Sequence, residues 1–209
     1  MTYTRAIGVA CNTVIQRIVR WLALSRIHPN VLTFIGLLIN GVAAVLLASG
    51  RFPASGVVMI AAGIFDMVDG RVARATNQVT LFGAFFDSVV DRYSDLVLLM
   101  GLLVYYASIN RFFYVVLTAV VMTGSVMVSY TRARAECIIP KCKAGFMERP
   151  ERMVLLIIGA LFNRMAPVLW IIAVIANITV IHRMLFTWRQ TQPLERASLG
   201  AAAGGPSQP

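Results

Sequence analysis

The stretch Asp66-Met67-Val68-Asp69-Gly70-Arg71-Val72-Ala73-Arg74, continued through Gly83, Asp87-Ser88 and Asp91-Arg92-Tyr93-Ser94-Asp95, decides how this chain must fold. Every aspartate of the protein lies in it: Asp66, Asp69, Asp87, Asp91 and Asp95. The sequence around them is apolar enough to be membrane. On insertion scales an aspartate at mid-bilayer costs roughly 2.5–3.5 kcal/mol. Four together cost on the order of 12 kcal/mol, as much as the net stability of a whole domain. They cannot simply face lipid. Asp66 and Asp69 are three apart, and Asp87 and Asp91 four apart, so each pair shares one face of a helix. Two helices that each present two carboxylates form an oxygen-lined cage suited to hard divalent cations such as Mg²⁺ or Mn²⁺. The plainer alternative is a set of buried carboxylates ion-paired with Arg71, Arg74 or Arg92.

Of the 209 residues 58% are hydrophobic and 13% charged, and the mean hydropathy is +0.76. That composition belongs to an integral membrane protein and excludes an ordinary soluble domain. A net charge of +10 on so apolar a chain points to anionic lipid or a phosphorylated substrate, not to nucleic acid. The three cysteines, Cys11, Cys137 and Cys142, have no zinc spacing, and a cytoplasmic position would leave them reduced. No cleavable signal is expected, since Arg17 and Arg20 interrupt the first apolar run.

Residues 1–27 read as an interfacial amphipathic helix. Ile7, Val9, Ile15, Ile18, Val19, Trp21 and Leu22 alternate with Arg5, Gln16, Arg17 and Arg20, and Trp21 lies at headgroup depth. A short helix packed on the bundle would explain the same pattern. His28-Pro29-Asn30 then breaks the chain. Residues 28–190 form an all-α domain of six transmembrane helices, at about 31–49, 54–70, 83–107, 112–133, 152–165 and 167–186. The fifth is the weakest and begins near Glu148 in a wet cavity. Short turns are expected at Gly50 to Pro53, Ser108 to Arg111 and Asn163 to Pro167. Residues 191–209, low in complexity from Ser198, are expected to be a disordered tail. Basic residues cluster before the first span, at Arg71 and Arg74, between Arg132 and Arg152, and after Ile181. The opposite turns hold only Arg51, Arg111 and Arg164. Both termini and the aspartates are therefore expected on the cytoplasmic side of a multi-pass protein of the cell membrane.

The acid-rich stretch fits the pattern D-x2-D-G-x2-A-R-x8-G-x3-D-x3-D at Asp66, Asp69, Gly70, Ala73, Arg74, Gly83, Asp87 and Asp91. In this it resembles the CDP-alcohol phosphotransferase family. The resemblance implies cleavage of the pyrophosphate of a CDP-linked lipid by an acceptor hydroxyl, with CMP leaving. It implies two cations, Mg²⁺ with Mn²⁺ as an alternative, on Asp66, Asp69, Asp87 and Asp91, with Asp91 also the general base. Around the donor it implies Asn30, Val31, Leu32, Thr33, Gly70, Ala73, Arg74 and Thr80. Gly70 leaves the helix backbone open to the nucleotide, Arg74 suits bidentate phosphate binding, and Gly83 lets two helices approach. Asn30 and Thr33 have a competing role as helix caps. Asp95 falls outside the pattern and reads as an orienting partner for Arg92. Homodimers are common in the family, though no residue here specifies one.

A second stretch, Ser129-Tyr130-Thr131-Arg132-Ala133-Arg134-Ala135-Glu136 with Gly145-Phe146-Met147-Glu148-Arg149-Pro150-Glu151-Arg152, bears on the acceptor. Arg132, Arg134, Lys141, Lys143, Arg149 and Arg152 form a basic cluster. Glu148 and Glu151 among them suggest an ordered, salt-bridged pocket more than a solvated loop. The stretch is similar to the branch of the family whose acceptor is inositol phosphate. By that resemblance Ser129, Arg132, Arg152 and Arg183 line the pocket for the acceptor's phosphate. Relatives often carry lysine where this chain has Arg132. The expected reaction moves a phosphatidyl group from CDP-diacylglycerol to inositol phosphate, giving phosphatidylinositol phosphate and CMP. Glycerol phosphate or serine as acceptor is the alternative within this chemistry. An ion-coupled transporter is the rival of another class, disfavoured because no second set of acids matches the first.

Overall fold

The structure, a computed structural model, describes residues 29–75 and 80–203, with side chains over 30–68 and 80–193. The amphipathic helix expected at 1–27 lies outside the described residues. The described residues contain six helices and no strand: α1 Pro29–Ala48, α2 Phe52–Ala75, α3 Leu81–Ser108, α4 Phe112–Glu136, α5 Arg149–Leu161 and α6 Met165–Ala203. Their apolar character matches a membrane-embedded protein. Three stretches are both long and apolar enough to cross a bilayer, namely Asn30–Ala48, Phe112–Glu136 and Met165–Pro193. In α2 the apolar run is the shorter Phe52–Val68. Helix α3 has 28 residues but carries Asp87, Asp91, Arg92 and Asp95, and α5 has only 13.

The chain divides into two compact units, with α5 shared between them. The first contains α1, α2, α3 and the segment Ile157–Arg164. Within it α1 packs on both α2 and α3. The buried stripe of α1, Leu32, Thr33, Asn40, Ala43, Ala44 and Leu47, follows helical spacing, while Val31, Phe34, Leu38, Val42 and Val45 are exposed. Apolar residues on both faces are what a lipid-facing helix needs. At Gly101 a Cβ would overlap the Ala44 carbonyl, so α1 and α3 touch backbone to backbone there. Ser55 is fully buried on α2 and donates to the Ala43 carbonyl at 2.8 Å. Gly50, at φ 73°, turns the chain from α1 to α2 beneath the Tyr105 ring.

The second unit contains Phe112–Leu156 and the chain from Met165 onward. Its α4 packs on α6 along Leu117, Val121, Gly124, Ser125 and Val128 on one side and Leu169, Ile172, Ala176 and Thr179 on the other. A Cβ on Gly124 would press on Ala176 and Asn177. The connection from α4 to α5 is anchored: Ile139, Cys142 and Ala144 are buried with Ala135 against Phe186. A merely solvated basic loop would not bury these positions.

Two expectations are corrected. Pro53 and Pro167, assigned to turns, belong to the first turns of α2 and α6, where a missing N–H removes no helical bond. Residues 191–203, assigned to a disordered tail, continue α6 through Pro193 to Ala203. Leu194, Glu195, Arg196 and Ala197 are strong helix formers that extend an existing helix without a new nucleus.

Candidate metal centre and arginine cluster

In the first unit Asp66 on α2 and Asp87 and Asp91 on α3 converge. One carboxylate oxygen from each lies within 4.8 Å of the others, and all three side chains are partly buried. Such a set could hold a divalent cation with oxygen ligands alone. Both helices pack on α1. The backbone places Asp69, Gly70, Ala73 and Arg74 in the last turns of α2, and their side chains lie outside the described ones. Asp95, one turn further along α3, is buried at 5% exposure and is not in the cluster. The Arg92 guanidinium donates to the Ser88 carbonyl.

Of the residues expected around the donor, Thr80 and Asn30 meet at the start of α3. Thr80 is the N-cap of α3, its hydroxyl accepting from the Gly83 N–H at 2.9 Å. Thr80 thus has a structural role irrespective of any nucleotide. A Cβ on Gly83 would meet Thr80 Oγ1 at 2.9 Å and Asn30 Oδ1 at 3.4 Å, so Gly83 does permit the approach of α1. Leu32 and Thr33 are buried, whereas Val31 is half exposed. Phe82, Phe85 and Phe86 form an aromatic cluster just before Asp87.

In the second unit Arg132 and Arg183 meet through one carboxylate. Glu148 Oε1 accepts from Arg132 Nη1 at 2.8 Å and from Arg183 Nη2 at 3.4 Å. Arg132 Nε also donates to Glu136 Oε1 at 3.3 Å. Arg183 is 1% exposed. Its Nε donates to the Ala144 carbonyl at 2.8 Å and its Nη1 to the Val128 carbonyl. Its Nε thus braces the α4–α5 connection and its Nη1 holds α4. The Glu148 N–H donates to Glu151 Oε2 at 3.0 Å, and the Arg152 N–H to the Glu148 carbonyl at 3.3 Å. Glu151 thus supplies one half of a capping box at the start of α5, while the Glu148 side chain turns to the arginines. Arg152 is buried at 3% exposure, and Ser129 is partly buried on α4.

Three contributors escaped the sequence reading. Gly145, at φ 118°, sits where a Cβ would strike Thr179 Cγ2 at 2.7 Å and Arg183 Nε at 2.8 Å. Buried Thr179 accepts from the Met147 N–H at 3.3 Å. Glu136 accepts from the Cys142 N–H at 3.4 Å and braces Arg132. A glycine in an otherwise basic loop was the one available signal.

The profile of the CDP-alcohol phosphatidyltransferase family matches residues 26–197. The archaetidylinositol phosphate synthase of Pyrococcus horikoshii is 38% identical over 176 residues, spanning 81% of this chain and 88% of that one. The crystal structure of the Mycobacterium tuberculosis phosphatidylinositol phosphate synthase with CDP-DAG bound superposes with a TM-score of 0.78 at 30% identity. It covers 84% of this chain and 94% of that one. The same mycobacterial enzyme in complex with manganese and citrate matches with a TM-score of 0.77 at 31% identity, over 83% and 88% of the two chains. The chain belongs to the CDP-alcohol phosphatidyltransferase family. It is a phosphatidyltransferase of phospholipid biosynthesis, which sets aside the transporter reading.

Proposed function

We propose that this enzyme transfers a phosphatidyl group from CDP-diacylglycerol to inositol phosphate, releasing CMP. The observation that carries the reading is the convergence of Asp66, Asp87 and Asp91 from two helices. The named activity of the similar proteins and the CDP-DAG in one of them support it. We assign Asp66, Asp69, Asp87 and Asp91 to two divalent cations, Mg²⁺ or Mn²⁺, and the manganese complex of the mycobacterial relative supports such a site. Bound there, the ions would supply the positive charge that offsets the pyrophosphate and the leaving oxygen.

The chain's own residues do the rest. Asp91 takes the proton of the attacking acceptor hydroxyl. The new acceptor O–P bond forms as the P–O bond to CMP breaks. Asn30, Val31, Leu32, Thr33, Thr80, Gly70, Ala73 and Arg74 hold the donor: Gly70 opens the helix backbone and Arg74 binds its phosphates. Ser129, Arg132, Arg152 and Arg183 bind the acceptor's phosphate, a task for which guanidinium groups are well shaped. Arg183 contributes only its Nη2 edge, because Val128 and Ala144 take the remainder.

In the membrane, residues 28–190 would make six crossings with both termini in the cytoplasm, and two copies would form a homodimer in the plasma membrane. The excess of basic residues at the aspartate ends supports that orientation. The test is CMP release from CDP-diacylglycerol by purified protein with Mg²⁺ or Mn²⁺. Inositol phosphate, glycerol phosphate, serine and inositol are offered separately. Product with inositol phosphate and none in chelator is expected. Product with serine or unphosphorylated inositol, and none with inositol phosphate, would refute the pocket assignment.

A further inference from the structure

A single oxygen, Glu148 Oε1, sits between two guanidinium groups, 2.8 Å from Arg132 Nη1 and 3.4 Å from Arg183 Nη2. An oxyanion shared by two arginines is how proteins commonly grip a phosphate oxygen. Each guanidinium has a second anchor that does not involve Glu148. Arg132 Nε keeps Glu136, and Arg183 keeps the Val128 and Ala144 carbonyls. The Glu148 backbone is pinned separately by Glu151 and by the Arg152 N–H. Its side chain is 47% exposed, against 2% for that of Arg183. The carboxylate can therefore swing out while both arginines and the start of α5 stay in place.

We propose that Glu148 is a resident counter-anion of the acceptor pocket, displaced when the acceptor's phosphate takes the position of Oε1. This rests on the acceptor-pocket reading above. Until acceptor arrives, the carboxylate offsets the repulsion between two guanidinium groups. A phosphomonoester dianion brings more charge and more acceptor oxygens than one carboxylate. A neutral polyol brings neither and leaves Glu148 in place. Glu148 is thus a specificity-determining residue that sets how much negative charge an acceptor must carry.

The test measures inorganic phosphate binding to the full-length protein in detergent by equilibrium dialysis, beside acceptor kinetics. Glu148→Gln removes the competing charge, so phosphate binds about tenfold more tightly, and the acceptor KM falls by a similar factor with kcat little changed. A purely structural role for Glu148 predicts the opposite sign, weaker binding. Glu148→Asp, too short to span both arginines, shifts binding the same way by less, and carries the comparison if the glutamine variant does not fold. Unchanged or weaker phosphate binding in these variants, with Arg152→Ala weakening it as expected, overturns the role of Glu148 and leaves the pocket standing. No phosphate binding by the parent, and no effect of Arg152→Ala on acceptor KM, overturns the pocket and this proposal together.

Discussion

The two clusters solve the problem of charge in an apolar chain in opposite ways. In the first unit Asp66, Asp87 and Asp91 bring like charges within 4.8 Å. In the second the signs alternate, from Glu136 to Arg132 to Glu148 to Arg183. Gathering like charges raises the attraction of that point for positive charge. An alternating chain compensates itself, and a ligand must compete for its place. The acid cluster is therefore arranged to recruit a cation, and the arginine cluster to exchange one anion for another.

The largest effect that separates the two lies in the acids. Asp66→Asn, Asp87→Asn or Asp91→Asn should reduce transfer to background. Without metal these variants should remain folded, since each removes a ligand charge and keeps the side-chain volume. Added Mn²⁺ should raise the melting midpoint of the parent and not that of Asp87→Asn. A large loss of stability in the metal-free variants would mean that the acids serve as structural ion pairs. For Asp91→Asn, CDP-diacylglycerol binding with no turnover supports the base role, and near-normal turnover eliminates it.

Next comes Arg152→Ala in the second unit. Losing one charge-assisted contact should cost roughly 1.5–3 kcal/mol, about ten- to a hundredfold in acceptor KM. Binding of CDP-diacylglycerol should be almost unchanged. An equal loss for donor and acceptor would dissolve the division of labour between the clusters.

Gly145→Ala should act through the loop that Arg183 braces. Its φ of 118° and the close Thr179 and Arg183 atoms predict a loss of about 1–3 kcal/mol in stability. Kinetically it should raise acceptor KM more than donor KM. The smallest effect belongs to Thr80→Ala, which removes the α3 cap at about 1 kcal/mol. Full donor affinity in that variant would confine Thr80 to capping, and a donor defect beyond the stability loss would give it a second role.

Much of this protein was legible in order of residues. The four-residue spacing of Asp87 and Asp91 is local geometry, so their common face on α3 followed from periodicity alone, whereas their meeting with Asp66 needed the packing of two helices. Helix starts and turns were nearly as plain, because apolar runs punctuated by Gly50, Asn110 and Asn163 leave few choices. Where the reading failed, a local rule was too strict. Proline ends no helix when it stands in the first turn, and a small-residue tail stays helical once α6 feeds into it.

What tertiary structure alone decided is how distant residues share one another. No spacing rule links Arg183 to Val128, 55 positions away, or to Ala144, 39 positions away. Nor does any rule make Glu148 the joint partner of Arg132 and Arg183. The sequence determined the charges and the faces that carry them, since both follow from composition and helical period. Packing of α4 on α6 determined which guanidinium edges are consumed by carbonyls and which remain for an anion, because hydrogen-bond satisfaction depends on neighbours in space.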